Sequence, residues 1–247
     1  ELTVYQNLYY NARLCFDDYT EEEISDTVDN TLKELDLYHV RNSKVGNPLE
    51  KVISGGQRKR LNLGLELIRE PAVLLVDEPT SGLSSSDSIN IMNLLREQTL
   101  NGKLVIVNIH QPSSNIFKLF DQLIVLDNGG TPVYSGDPME GLVYFKTLDE
   151  QVNAQEKECP TCGTINPEIM LEILEDKEVD ESGNYTGKRK RTPEKWYQLF
   201  KENIDQVVSI EENVKQLPPN PFKRPNLFKQ FNIYITRNLL TKLANKQ

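Results

Sequence analysis

Ile53-Ser54-Gly55-Gly56-Gln57-Arg58-Lys59-Arg60 and, a short helical run later, Val73-Leu74-Leu75-Val76-Asp77-Glu78 decide the fold of this chain. Two glycines let a backbone approach a phosphate closely, and the helical run Arg58 to Arg69 aims free N–H groups and a positive dipole end at the same point. Ser54 can add a hydroxyl donor there or cap the helix. Alone, the Ser-Gly-Gly-Gln tetrapeptide reads as a flexible turn. The apolar strand that follows, ending in two carboxylates, reverses that reading. Asp77 ends the strand, where a side chain emerges at the carboxyl edge of a parallel sheet, the usual place for ligands in such folds. It is placed to hold Mg²⁺, directly or through water. Glu78, next to it, suits the orientation and polarisation of an attacking water in phosphoryl transfer.

Working outward, Ala72 to Val76 and Leu104 to Ile109 are short, β-branched apolar runs that predict buried parallel strands. Ser86 to Thr99 between them, with Ile89, Met92, Leu94 and Leu95, has the length a crossover helix needs, so the three form a β-α-β unit. His110 closes the second strand, and strand adjacency predicts that it approaches Glu78, where an imidazole can bridge a phosphate and a water. Gln122 to Asp127 and Pro132 to Ser135 flank Asn128-Gly129-Gly130, a hairpin signal with which the sheet is expected to end.

Upstream, Thr20 to Leu37 predicts a helix, with Thr20-Glu21-Glu22-Glu23 as a capping box and Ile24, Val28, Leu32 and Leu35 at helical spacing. Downstream, Asp176 to Pro193 is dense in charge, includes the basic run Lys188-Arg189-Lys190-Arg191, and reads as an exposed excursion. That run suits either a solvated loop or anionic lipid headgroups. After a proline-rich linker, Pro218 to Pro225, Asn226 to Gln247 places Phe228, Phe231, Ile235, Leu239 and Leu243 near one face of an amphipathic helix.

The chain has 247 residues and the apolar content of an ordinary globular protein. A formal net charge of -9, with acids spread along the chain, argues against nucleic acid as a direct partner, since phosphate binding calls for a clustered basic face. Cys15, Cys159 and Cys162 form no even-numbered framework, so a reducing, intracellular compartment is the simplest reading. Cys159-Pro160-Thr161-Cys162-Gly163 has the look of half a zinc ribbon without its second pair. Structural thiols, a shared zinc site and redox chemistry all stay open there. No apolar run reaches bilayer length, and Glu1-Leu2-Thr3-Val4 has neither an initiator Met nor a signal peptide, so the chain reads as an internal piece of something longer.

With these residues in place, a resemblance can be stated. Ile53 to Arg60 resembles the ABC signature motif, Val73 to Glu78 a Walker B strand with its catalytic glutamate, and Pro79-Thr80-Ser81-Gly82-Leu83 the D-loop. Ile109-His110-Gln111-Pro112-Ser113-Ser114 is similar to the switch-histidine region of the G subfamily of ABC transporters, the eye-pigment and multidrug half-transporters, as are Phe120-Asp121 and Tyr134-Ser135-Gly136. A fainter likeness continues through Asn166-Pro167-Glu168-Ile169-Met170-Leu171 and into the terminal segment, which resembles a connecting helix. The fold implied is α/β, a partial P-loop NTPase core of the ABC type with parallel strands, a helical subdomain and a C-terminal helical extension. Its expected divisions are 1–57, a helical subdomain ending in the signature motif; 58–150, the rest of the catalytic core; 151–193, a helical extension and charged linker; and 194–247, a linker and connecting helix.

The resemblance implies ATP and Mg²⁺ as cofactors. Ser54, Gly55, Gly56 and Gln57, with Ser81, Gly82 and Leu83, would bind nucleotide across a head-to-tail dimer of two such domains. Asp77 would serve the metal, and Glu78 and His110 the chemistry. A second nucleotide-binding domain, a transmembrane domain of the same or a partner chain, and the membrane surface are the implied partners, at the cytoplasmic face of the cell membrane. Turnover would drive export. The sequence departs from the family in three places: it has no Gly-x-x-x-x-Gly-Lys-Ser/Thr, no Q-loop glutamine, and Ser84 where the D-loop usually has Asp. Two other readings compete, a soluble ABC ATPase of DNA repair or translation and a regulatory module that has lost turnover.

Overall fold

The computed structural model describes residues 2–46, 52–180, 183–204 and 224–244. They divide into two compact units, Glu1–Ile109 with Lys215–Gln247, and His110–Val214. Most of the proline-rich linker, from Pro218 onward, and Lys246 lie outside the described residues.

The first unit opens with two helices, α1 (Val4–Cys15) and α2 (Glu21–Glu34). Each begins in a reciprocal capping box, Thr3 with Gln6 and Thr20 with Glu23, which satisfies backbone donors at the helix start. Val4, Leu8 and Ala12 on α1 and Ile24, Val28 and Leu32 on α2 recur three to four residues apart and are fully buried. The expected helix after Thr20 is therefore present, and its apolar stripe is the one read from the sequence. Helix α3 (Gly55–Leu67) packs against both.

Strand β1 (Val73–Asp77), helix α4 (Ser85–Leu100) and strand β2 (Leu104–Asn108) follow. The two strands pair in parallel, Val73 opposite Leu104 through Asp77 opposite Asn108, so the β-α-β unit stands. Their expected burial does not. Leu74 is buried, but Val73, Leu75, Leu104 and Ile106 are exposed, Leu75 at 73%. Alternation puts these four on one face, while α4 packs against β2. A parallel strand reads as a continuous apolar run because both of its faces are meant to be covered. Among the described residues of this unit only one face is.

In the second unit a short helix α5 (Ser114–Phe117) precedes the hairpin of β3 (Leu123–Asp127) and β4 (Thr131–Gly136). Gly129 and Gly130 turn the chain with φ of 77° and 76°, a conformation that a Cβ disfavours. The hairpin forms its own two-stranded sheet and shares no ladder with β1 and β2, which corrects the expectation that it ends their sheet. Helix α6 (Pro138–Leu148) packs on β4 and α7 (Glu168–Glu175) packs on α6, with Phe117, Val133, Phe145, Ile173 and Trp196 in the shared core. Trp196 belongs to α8 (Pro193–Asn203), which packs on β4.

The charged stretch after Asp176 is a second correction. It is exposed as expected, but it forms a hairpin, β5 (Lys177–Val179) with β6 (Tyr185–Arg189). Three of the four residues of its basic run are tied to the rest of the unit. Arg189 donates to Asp127 Oδ1 at 2.9 Å and to the Leu174 carbonyl at 2.7 Å, Lys190 pairs with Asp176, and the Arg191 guanidinium lies 5.2 Å from the Trp196 ring.

The Lys190 contact holds the Asp176 carboxyl below its ordinary 3.8, and Asp176 raises Lys190 above 10.5. The carboxylate's contribution is complete above the unfolded value and lost as pH falls through the depressed one. The ammonium's contribution is complete below its unfolded value and lost as pH rises through the raised one. Both side chains are partly exposed, so the clip is worth less than about 1 kcal/mol. Hydrogen-exchange protection of the Lys190 amide, which donates to the Asp176 carbonyl at 2.8 Å, should hold at neutral pH, weaken below about pH 4 and weaken further in salt. Protection that ignores both pH and salt would show that the ladder alone holds the hairpin.

The last helix, α9 (Leu227–Ala244), belongs to the first unit and packs on α1. Among its described side chains Ile233 is the buried one, and Lys229 pairs with Asp17 at 2.7 Å. The apolar residues expected along one face, Phe228, Phe231, Ile235, Leu239 and Leu243, are all exposed. None of the helices among the described residues is long and apolar enough to cross a membrane.

Candidate functional site

The N-terminus of α3 is the centre of the candidate site. Ser54 caps the helix: its Oγ accepts from the Gln57 amide at 3.1 Å, and Gln57 Oε1 accepts from the Ser54 amide at 2.9 Å. Of the two roles open to Ser54 from sequence, the structure shows the cap. Gly55 and Gly56 are the first two helical residues, whose N–H groups have no acceptor within the helix. Gly55 is exposed, and Gly56 is buried against the start of α4. A Cβ on Gly56 would come within 2.4 Å of Asp87 Oδ1, and one on Gly55 would lie 3.7 Å from the Leu83 side chain.

These contacts join the two predicted nucleotide-binding segments within one unit. Ser81, Gly82 and Leu83 lie in the loop between β1 and α4, with Gly82 at φ 72° and the Leu83 amide donating to the Thr80 carbonyl at 3.3 Å. Ser84, the residue that departs from the family, is the N-cap of α4; its Oγ accepts from the Asp87 amide at 3.2 Å and bonds Asp87 Oδ2 at 2.9 Å. Serine and aspartate are comparable caps, so the departure leaves the helix start intact.

Asp77 and Glu78 are both exposed. The Asp77 carboxylate accepts from Asn108 Nδ2 at 2.8 Å through Oδ1. Glu78 sits at φ 42°, unusual for a residue with a side chain, and its amide donates to the Asn108 carbonyl at 2.9 Å. Its own carbonyl accepts from Lys59 Nζ at 2.9 Å, which ties α3 to the end of β1. His110 is exposed and lies beyond the end of β2, which stops at Asn108, so it follows the strand rather than closing it.

Sequence reasoning missed Asn108 and the contacts made by Lys59 and Asp87. Asn108 was findable, because the parallel register places it opposite Asp77. Asp87 carried a weaker signal, its spacing three residues after a capping serine. Besides facing Gly56, it lies 3.8 Å from the guanidinium of Arg60, which is buried at 8% exposure. Nothing in the local sequence marks Lys59.

The donor set suits the groups that the family implies. A helix N-terminus with two glycines can take an anionic phosphate oxygen, and an exposed carboxylate at a strand end is the oxygen ligand that Mg²⁺ prefers.

Known proteins resemble this chain in sequence and in fold. The family described as "ABC transporter" matches residues 1–81, and "ABC-2 type transporter" matches residues 110–217. The chain is 40% identical over 179 residues to ABC transporter G family member 28 of Arabidopsis thaliana, covering 70% of this chain and 15% of that one. It is 33% identical over 237 residues to an uncharacterized ABC transporter ATP-binding protein/permease of Saccharomyces cerevisiae, covering 94% of this chain and 17% of that one. It thus spans less than a fifth of the length of these two relatives. Among solved structures, an ATP-binding cassette of an ABC transporter aligns with TM-score 0.50 at 22% identity, over 61% of this chain and 62% of that one. A Clostridium perfringens protein that is part of an ABC transporter complex aligns with TM-score 0.50 at 28% identity, over 61% and 58%. The fold is that of an ABC ATPase cassette, and the chain belongs to the ABC transporter family, with G family members among its relatives.

Proposed function

We propose that this chain supplies the signature-motif half of an ATP-driven motor in a membrane exporter. The observation that carries the reading is the packing of α3 on the loop after β1, in which Gly56 meets Asp87, Gly55 lies near Leu83 and Lys59 holds the Glu78 carbonyl. One packed cluster thereby joins the helix end proposed to meet the anion to the strand end that carries the two carboxylates.

In that role Ser54, Gly55 and Gly56 present the α3 N-terminus to a terminal phosphate bound on the P-loop of a second domain, with Gln57 completing the cap. Ser81, Gly82 and Leu83 form the loop that faces the same partner. Asp77, held by Asn108, offers its second oxygen to Mg²⁺, which when bound supplies charge neutralisation on the phosphate chain. Glu78 orients the water and receives its proton, and His110 keeps the role that the resemblance assigns to it, at the γ-phosphate. The exposed aromatic and aliphatic face of α9, from Phe228 to Leu243, suits a membrane surface or a membrane-embedded partner domain at the cytoplasmic face.

The direct test is ATP hydrolysis by the full-length protein reconstituted in lipid. Mg²⁺-dependent turnover is the expected result. A wild-type protein that binds ATP but does not turn it over would favour a regulatory module instead.

A further inference from the structure

Cys159 and Cys162 take no part in the site described above. They lie in the second unit on a turn that the backbone closes twice: the Cys159 amide donates to the Thr164 carbonyl at 2.9 Å, and the Gly163 amide to the Cys159 carbonyl at 2.8 Å. The turn is also pinned from outside. Lys118 Nζ donates to the Gly163 carbonyl at 2.9 Å and pairs with Glu158 at 3.1 Å, and Ser114 Oγ accepts from the Ile165 amide at 3.0 Å.

Held this way, both thiols are exposed on one closed turn, two residues apart in its CxxC, and Cys162 Sγ lies 3.1 Å from the Thr164 hydroxyl oxygen. The Thr164 hydroxyl, then its amide, then the Cys159 thiol hold Cys162 below the ordinary thiol value, so the thiolate is more populated at neutral pH. Cys15 is the opposite case: it is buried on α1, and burial pushes its thiol up.

We propose that Cys159 and Cys162 form a reversible dithiol–disulfide pair, a modification site for small disulfides of the glutathione class. The steps balance. The Cys162 thiolate attacks one sulfur of glutathione disulfide; that S–S bond breaks, a Cys162–glutathione bond forms, and one glutathione leaves as a thiolate and takes up a proton. The Cys159 thiolate then attacks the Cys162 sulfur and expels the second glutathione. Two electrons pass from the cysteine pair to glutathione disulfide, which leaves as two thiols. The backbone bonds that close the turn do not involve sulfur, so they can hold both cysteines on one turn in either state, which makes the second step intramolecular. A resident metal fits less well. Among the described residues no group of three or more His, Cys, Asp or Glu is placed to hold one, and two thiolates fill only half of a tetrahedral site.

The test equilibrates the 247-residue chain in glutathione buffers of rising oxidised fraction, quenches in acid, alkylates and maps the cysteines by mass. The expected result is joint loss of alkylation at Cys159 and Cys162 with loss of two hydrogens from the peptide that carries them, fully reversed by reduced glutathione, while Cys15 never forms an adduct. Cys159→Ser should accumulate one glutathione on Cys162, and Cys162→Ser one glutathione on Cys159, with neither variant losing two hydrogens to a disulfide. Both cysteines still alkylatable at the oxidising limit, or a bond linking two chains, would overturn the proposal. So would joint protection by added Zn²⁺ with no disulfide in any buffer, which would assign the thiols to a metal shared between chains.

Discussion

Glu78→Gln in the full-length protein should lower ATP turnover by roughly a hundredfold to ten-thousandfold while leaving nucleotide binding within a few-fold of wild type, the loss expected when a general base is removed from an otherwise intact site. The substitution keeps size and shape and removes only the charge and the proton-accepting oxygen. Two structural ties at this position run through the backbone and survive it: the Glu78 amide to the Asn108 carbonyl, and Lys59 to the Glu78 carbonyl. The side chain itself is exposed, so fold stability should change little. Phosphate release and equilibrium nucleotide binding, measured on the same preparation, separate chemistry from affinity. Turnover close to wild type would remove Glu78 from the reaction and leave Asp77 as the carboxylate that matters. Equal losses in binding and turnover would point to a damaged site instead.

The parts of this structure that could be read from sequence are those in which cause and effect lie close along the chain. Ser54 and Gln57, like Thr20 and Glu23, announce a capping box within four residues, and Gly129-Gly130 announces a hairpin within three. The apolar runs at β1 and β2 gave strand identity and parallel pairing, because a helix of crossover length separates them.

What failed depends on partners distant in sequence. Burial of Leu75 and Ile106 depends on what covers their face, and a run of apolar letters looks the same whether that cover is described or not. Arg189 and Lys190 looked solvated because their acceptors, Asp127, the Leu174 carbonyl and Asp176, are scattered over the unit. Helix α9 was recognisable as amphipathic, yet the residue it buries against its own unit is Ile233, off the stripe that the pattern picks out. Within the candidate site the carboxylates and glycines were legible as types. The contacts that organise them, Asp87 on Gly56 and Lys59 on Glu78, cross from one helix to the next element and leave no local trace.

Gly56→Ala should expose that organisation. On helix propensity alone, alanine gains about 0.5–1 kcal/mol over glycine, and less so close to a helix end. Against this stands the 2.4 Å approach of the new methyl to Asp87 Oδ1, which is too close for either group to stay where it is. Swinging Asp87 aside would give up its bond with the Ser84 hydroxyl and its 3.8 Å approach to the Nη1 of the buried Arg60. Overpacking of this kind costs roughly 1–3 kcal/mol, so the net change is a loss of stability despite the better helix former. Turnover in the full-length protein should fall as well, because the methyl stands beside the amides proposed to meet the phosphate. The double substitution Gly56→Ala with Asp87→Ala separates the two effects. Removing the carboxylate relieves the clash, so the two changes should be strongly non-additive in thermal unfolding, while turnover stays low if Gly56 matters for the approach of phosphate. Simple additivity in stability would mean that α3 and α4 do not meet at this pair. A Gly56→Ala protein as stable and as active as wild type would remove the close approach, and with it the coupling proposed between the helix end and the two carboxylates.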